Sequence, residues 1–266
     1  MISSYSLPDY KYLIFVLLLF LIISFNSYGQ KNIIGVVDYM RVENPDEYLE
    51  VEKQWQKIHR ERLKEGMIVG WAVYKIMFKT TEDPYNFITV SWYDSFSKLD
   101  KGIPDRIVNS TFPNMSKEEW KAFNDKTDNT RKRISSGVFH QRLTTTNGLD
   151  KQGTYYVINE INVKRGKSKA YINMCRDIFL PMYEKDIKNN GRTVWSIWEK
   201  WPGNMKDFQY GTADGYTSLD QVEPANYMKY FKEIHPDKDI NEISDLLEEI
   251  RELINTEMWR LEYRIN

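Results

Sequence analysis

From Ile33 onward the apolar positions switch between a strand-like and a helix-like period, and each switch marks an element. Ile33 to Val42 is rich in β-branched residues and reads as a strand. From Pro45 the positions Tyr48, Val51, Trp55 and Ile58 recur at helical spacing, continued by the aliphatic stem of Arg62. Pro45 and Asp46 suit a first helical turn, and Gly66 suits its end. Gly70 to Lys79 and Pro84 to Phe96 form a predicted hairpin around residues 80–84. Residues 102–114, with Pro104 and Pro113, read as an irregular insertion. Ser116 to Glu119 is a capping box that predicts a second long helix through Ile134, with Trp120, Phe123, Thr127 and Ile134 inward. Gly137 to Leu143 closes the series as a fourth strand.

Residues 144–153 have the composition of a linker, and after them the order returns. Residues 154–163 read as a strand and 168–190 as a helix ended by Gly191. Strands follow at 192–201 and 207–216 around a turn at 202–204. Helical pieces at 225–234 and 242–254 come next, the second with Ile243, Leu246, Leu247, Ile250 and Leu253 inward. Met258 to Tyr263 is the last strand. Phe87, Thr89, Tyr93 and Ser95 recur in register as Tyr210, Thr212, Tyr216 and Ser218, and Gly66 and Trp71 recur as Gly191 and Trp195. The pattern predicts one β-α-β-β-α-β unit written twice, over residues 31–147 and 154–266.

Each such unit covers one sheet face with helices and leaves the other bare. Two units bury both bare faces by packing sheet on sheet, as a sandwich or as a barrel closed by paired edges. The expected fold is therefore α+β: tandem ferredoxin-like repeats with their sheets face to face. On the Gly66…Trp71 junction, the Tyr85-to-Phe96 stretch, and their counterparts Gly191…Trp195 and Phe208-to-Leu219, the chain resembles the dimeric α/β-barrel superfamily in a fused, exported form. The resemblance implies relatives among small-molecule monooxygenases, haem-degrading enzymes, stress-induced barrel proteins and exported proteins of no known activity. So broad a fold transfers no function by itself.

Residues 1–29 read as an address. Leu13 to Phe25 is apolar apart from Ser24, and Ser27 and Gly29 place small residues before a cleavage site at Gly29–Gln30. The run is short of the roughly 20 apolar residues of a spanning helix, which favours a cleaved export signal over a retained anchor. The net charge of −1 carries no basic excess and speaks against nucleic acid. No later apolar run could cross a bilayer. Cys175, the single cysteine, shares a helical face with Tyr171, Ile178 and Met182 and reads as a buried, inert thiol.

Candidate chemistry is sparse. His59 shares a helix face with Trp55 and Glu52 and reads either as a base or ligand at the cavity rim or as a buried imidazole satisfied by a neighbour. Asp38, on the first strand, is placed to meet His140 or Arg142 on the fourth, an acid–base pair or a plain cross-strand contact. Glu160 and Arg260 are the corresponding pair in the second half. Metal, dinucleotide, P-loop and hydrolase-elbow spacings are absent, so no cofactor is called for. A haem would need an axial ligand, for which His59 is the helix-borne candidate. With 8 Trp and 18 Tyr, the chain has more polar-tipped aromatics than a dry core needs. Tyr39, Trp55, His59, Trp71, Trp92 and Trp195 are the expected lining of an inter-sheet cavity for a small apolar or aromatic ligand. Three readings follow. The first is an exported barrel that binds a small molecule or partner in that cavity. The second is a cofactor-independent or haem-linked monooxygenase or isomerase. The third is a structural module that forms homo-oligomers.

Overall fold

The computed structural model of the chain describes residues 32–151, 153–201, 208–223 and 226–266. The apolar leader and the turn at 202–204 lie outside them. The strands are β1 (Ile34–Arg41), β2 (Gly70–Ile76), β3 (Phe87–Tyr93), β4 (Lys132–Thr144), β5 (Tyr155–Val163), β6 (Val194–Lys200), β7 (Tyr210–Tyr216) and β8 (Arg251–Ile265). They close into a barrel in the order β1-β3-β2-β8-β5-β7-β6-β4, with every neighbouring pair antiparallel. Residues Asn32–Asn266 form one compact unit. The helices are α1 (Pro45–Lys64), α2 (Asp105–Thr111), α3 (Lys117–Thr130), α4 (Ser168–Met174), α5 (Leu180–Lys188), α6 (Tyr227–Ile234) and α7 (Ile240–Ile250).

Two long strands close the ring. The first part of β4 pairs with β1 and its last residues, from Phe139, pair with β6. In the same way β8 pairs first with β5 and then, from Trp259, with β2. Each strand carries a bulge where it changes partner, between Gln141 and Leu143 in β4 and opposite Val73/Tyr74 in β8. A bulge adds one unpaired residue and reverses which side chains face in. Trp259 and Leu261 therefore pack inside the barrel, whereas Tyr263 and Ile265 pack outside, and Arg264 is turned inward.

Both long strands begin earlier than the sequence pattern predicts. The helix expected to reach Ile134 ends at Thr130, and the helix expected to reach Ile254 ends at Ile250. Arg131 and Arg251 leave those helices in extended backbone and feed straight into β4 and β8. Ile134 and Leu253 consequently stand exposed on the strands rather than inward on helices. The capping box at Ser116 and Glu119 forms as expected. Residues 105–111 of the supposed irregular insertion are helical. The helix expected over residues 168–190 is interrupted by a π turn, Cys175–Phe179, just before Pro181. Proline there clashes with the carbonyl four residues earlier, and the wider turn relieves the clash.

Three apolar clusters follow from the alternation of β residues. Tyr39, Tyr74, Ile88, Val90, Trp92, Tyr156 and Trp259 fill the barrel. Tyr48, Trp71, Val73 and Phe87 seal α1 against the outer face of the first half. Tyr171, Met182, Trp195 and Ile197 seal α4, α5 and α7 against the second. Gly66, at φ +64°, makes the turn out of α1.

Candidate functional site

The barrel lumen is lined by the inward residues Gly35, Val37 and Tyr39 of β1, Tyr74 of β2, and Val90 and Trp92 of β3. Trp198, Phe208, Thr212, Trp259 and Arg264 complete most of the wall. It encloses about 100 Å³. A side chain at Gly35 would point at Trp92 and Trp198, so glycine keeps this part of the lumen open.

A larger space, about 380 Å³, lies outside the barrel between α1, the end of α3 and the outer face of β1, β3 and β2. Helical spacing on α1 presents Glu52, Trp55, His59 and Arg62 to it. The strands contribute Asp38, Trp71, Thr89, Ser91 and Tyr93, and the α3–β4 junction contributes Asp128, Arg131 and Arg133. Glu52 is 1% exposed and is held by Arg131. Burial outweighs that partner and raises the Glu52 carboxyl to about 7.

His59 lies between two indoles, 6.0 Å from Trp55 and 4.7 Å from Trp71 between ring centres. Trp55 is fixed by donating to Thr127 Oγ1 at 3.0 Å. Arg62 Nη1 lies 3.0 Å from His59 Nδ1 and its Nη2 donates to the Tyr93 hydroxyl at 3.3 Å. A guanidinium only donates, so Nδ1 must accept and the imidazole proton sits on Nε2. Burial, Arg62 and Arg131 all lower the His59 pKa, which keeps the ring neutral. His59 is thus a neutral donor group, not a base.

The same geometry disfavours an axial haem ligand. A metal-bound histidine donates its second ring N–H to a carbonyl or carboxylate. Here that second nitrogen faces a donor. Among the described residues no group of three or more His, Cys, Asp or Glu could hold a metal ion.

The six expected lining residues divide between three places. Tyr39 and Trp92 line the lumen, while Trp55, His59 and Trp71 come together in the outer cleft. Trp195 lies on the far side, in a cleft of about 170 Å³ with Tyr171, Cys175 and Arg251. There a thiol, pushed up to about 12 by burial, stands beside Tyr171 and Arg251, much as Glu52 stands beside Tyr48 and Arg131. Asp38 and His140 do not meet. Asp38 lies opposite Ser136, which donates to it, and His140 lies opposite Ile34 and contacts Asn32. Arg142 pairs with Glu199. Glu160 and Arg260 also fail to meet, because Glu160 lies opposite Asn255 and Arg260 opposite Tyr155. In both cases the strands pair as expected but in a register the sequence does not reveal. Glu52, Arg62, Tyr93 and Arg131 were not anticipated as site residues. The available signal was a carboxylate on the inward stripe of α1, one turn before Trp55 and two before His59.

No family model matches the chain, and no curated protein matches it in sequence. Solved structures similar in fold include a provisionally assigned monooxygenase from Lactobacillus acidophilus. It has a TM-score of 0.54 at 8% identity, covering 89% of this chain and 97% of that one. A second, from Fusobacterium nucleatum, has a TM-score of 0.51 at 11% identity, covering 90% and 95%. A heme-binding protein from Thermus thermophilus aligns with a TM-score of 0.46 at 11% identity over 87% and 92%. At the first two scores the likeness is one of fold alone.

Proposed function

We propose that the chain is an exported, fused two-repeat α/β barrel that binds a small organic molecule in the outer cleft of its first half and moves a proton on it. The observation that carries this reading is a buried carboxyl, Glu52, with a pKa of about 7, lining a cleft of about 380 Å³. A base is most effective when its pKa is near the working pH, and burial is the usual means of raising a carboxyl to that range. In this reading the Glu52 carboxylate takes a proton from an acidic C–H or O–H of the ligand and returns it on turnover. Arg131 steadies the carboxylate between steps. The Nε2 proton of His59 and the Tyr93 hydroxyl supply neutral donors for charge developing on a ligand oxygen.

Size favours this cleft over the lumen, since small-molecule pockets run to about 300–1,000 Å³. Proton abstraction is also the opening step of cofactor-independent oxygenation and of isomerisation, and the monooxygenase assignments of two proteins of like fold agree with that class. The leader Leu13 to Phe25 supports export.

The test is solvent-deuterium exchange, followed by NMR, into a panel of enolisable aryl ketones and hydroxyaromatics. The wild-type chain should accelerate exchange into at least one of them. Glu52→Gln should lower that rate at least 100-fold while the chain stays folded. Exchange that is undiminished in Glu52→Gln, or no acceleration by the wild type across the panel, would refute the reading.

A further inference from the structure

The barrel lumen holds a charge that the described residues leave without a counter-ion. Arg264 lines it, turned inward by the bulge in β8. Its Nη1 donates to the Tyr156 hydroxyl at 3.2 Å and its Nη2 to the Leu149 carbonyl at 2.7 Å. Its Nε is buried without a partner, and the guanidinium lies over the Trp92 ring, 4.9 Å from its centre. Both acceptors are neutral, and among the described residues no carboxylate lines the lumen. Arg264 is half-buried with its Nε withdrawn from solvent, and a cation partly withdrawn from water gains from a counter-ion. The rest of the wall is nearly all apolar or aromatic. The lumen is therefore amphiphilic: an apolar chamber with one cation at its end.

We propose that the lumen is a second ligand site, for a small monocarboxylate with an apolar body. The carboxylate would meet Arg264, and the body would lie among Tyr74, Val90, Trp92 and Trp259. A lumen of about 100 Å³ is smaller than the roughly 150 Å³ that holds benzene, so it limits that body to a short aliphatic chain. The indole under the guanidinium walls it from water on one side. The site is separate from the outer cleft and does not depend on proton transfer there.

The experiment titrates propionate and its neutral isostere propionamide into the full chain, read by tryptophan fluorescence and by calorimetry. Propionate should bind at least tenfold more tightly than propionamide. Arg264→Gln should abolish that preference, and Arg264→Lys should keep most of it. Gly35→Val, which fills the lumen beside Trp92 and Trp198, should weaken both compounds. Glu52→Gln should leave propionate binding unchanged, which separates this site from the cleft. Equal binding of the two compounds to the wild type, no propionate binding at millimolar concentration, or a preference that survives Arg264→Gln would each overturn the proposal. If Arg264→Gln does not fold, Gly35→Val decides: propionate binding that survives a filled lumen overturns it.

Discussion

Replacing Glu52 by Gln isolates the buried charge on which the cleft depends. In the folded chain burial raises this carboxyl from 4.5 to about 7. Folding thus favours the protonated form. The group's contribution to stability is full below pH 4.5 and is lost as pH rises through about 7. At about 1.4 kcal/mol per pKa unit, the loss over that window comes to about 3 kcal/mol. His59 acts in the opposite sense. Its lowered pKa means that the unfolded chain binds protons first, so stability falls as pH drops below the ordinary histidine value. The wild-type curve mixes the two effects, and Asp214, raised by burial, adds to the first. The informative quantity is the difference between wild type and Glu52→Gln, because Gln cannot titrate and the other groups cancel. Urea unfolding followed by tryptophan fluorescence, at half-unit steps from about pH 4.5 to about 7.5, measures it. Wild type minus variant should fall by about 3 kcal/mol from the acid to the neutral end. A flat difference would show Glu52 ionised throughout as an ordinary ion pair with Arg131, and the base assignment would go with it.

Other consequences can be measured independently. Cys175 is 3% exposed and its thiol is pushed up to about 12, so a thiol reagent at neutral pH should label it only at the rate of opening or unfolding. Fast labelling of the native chain would contradict that burial. A Cβ at Gly191 would stand 1.9 Å from Asp186 Oδ1, and Asp186 in turn holds Arg192 at 2.6 Å. Gly191→Ala should cost about 1–3 kcal/mol in urea unfolding, and little once Asp186 is already Ala. Phe87, fully buried against Tyr48, should cost about 3–5 kcal/mol as Phe87→Ala. Ser116→Ala should cost about 0.5–2 kcal/mol by removing one side of the capping box.

Much of the architecture is written in local patterns. The helical stripe Tyr48, Val51, Ile58 faces the sheet because those positions share one side of a helix whatever surrounds it. The turn at Gly66 and the cap at Ser116 are equally local, each resting on backbone chemistry within a few residues. So is the order of strands and helices, and the aromatic excess that marks an unusual interior. Three things were decided only by the assembled barrel. Register is the first: Asp38 and His140 lie on neighbouring strands, but pairing geometry sets which residues meet, and it put Ser136 opposite Asp38. The second is where helix yields to strand. Arg131 and Arg251 extend because the first residues of β4 and β8 pair along β1 and β5 to their ends, Lys132 opposite Arg41 and Arg251 opposite Val163, a demand no window of sequence contains. The third is facing. Plain alternation from Trp259 would put Arg264 outside, and one bulge residue turns it into the lumen. Local periodicity fixes what depends on neighbours along the chain; pairing between distant strands fixes which side chains share a cavity.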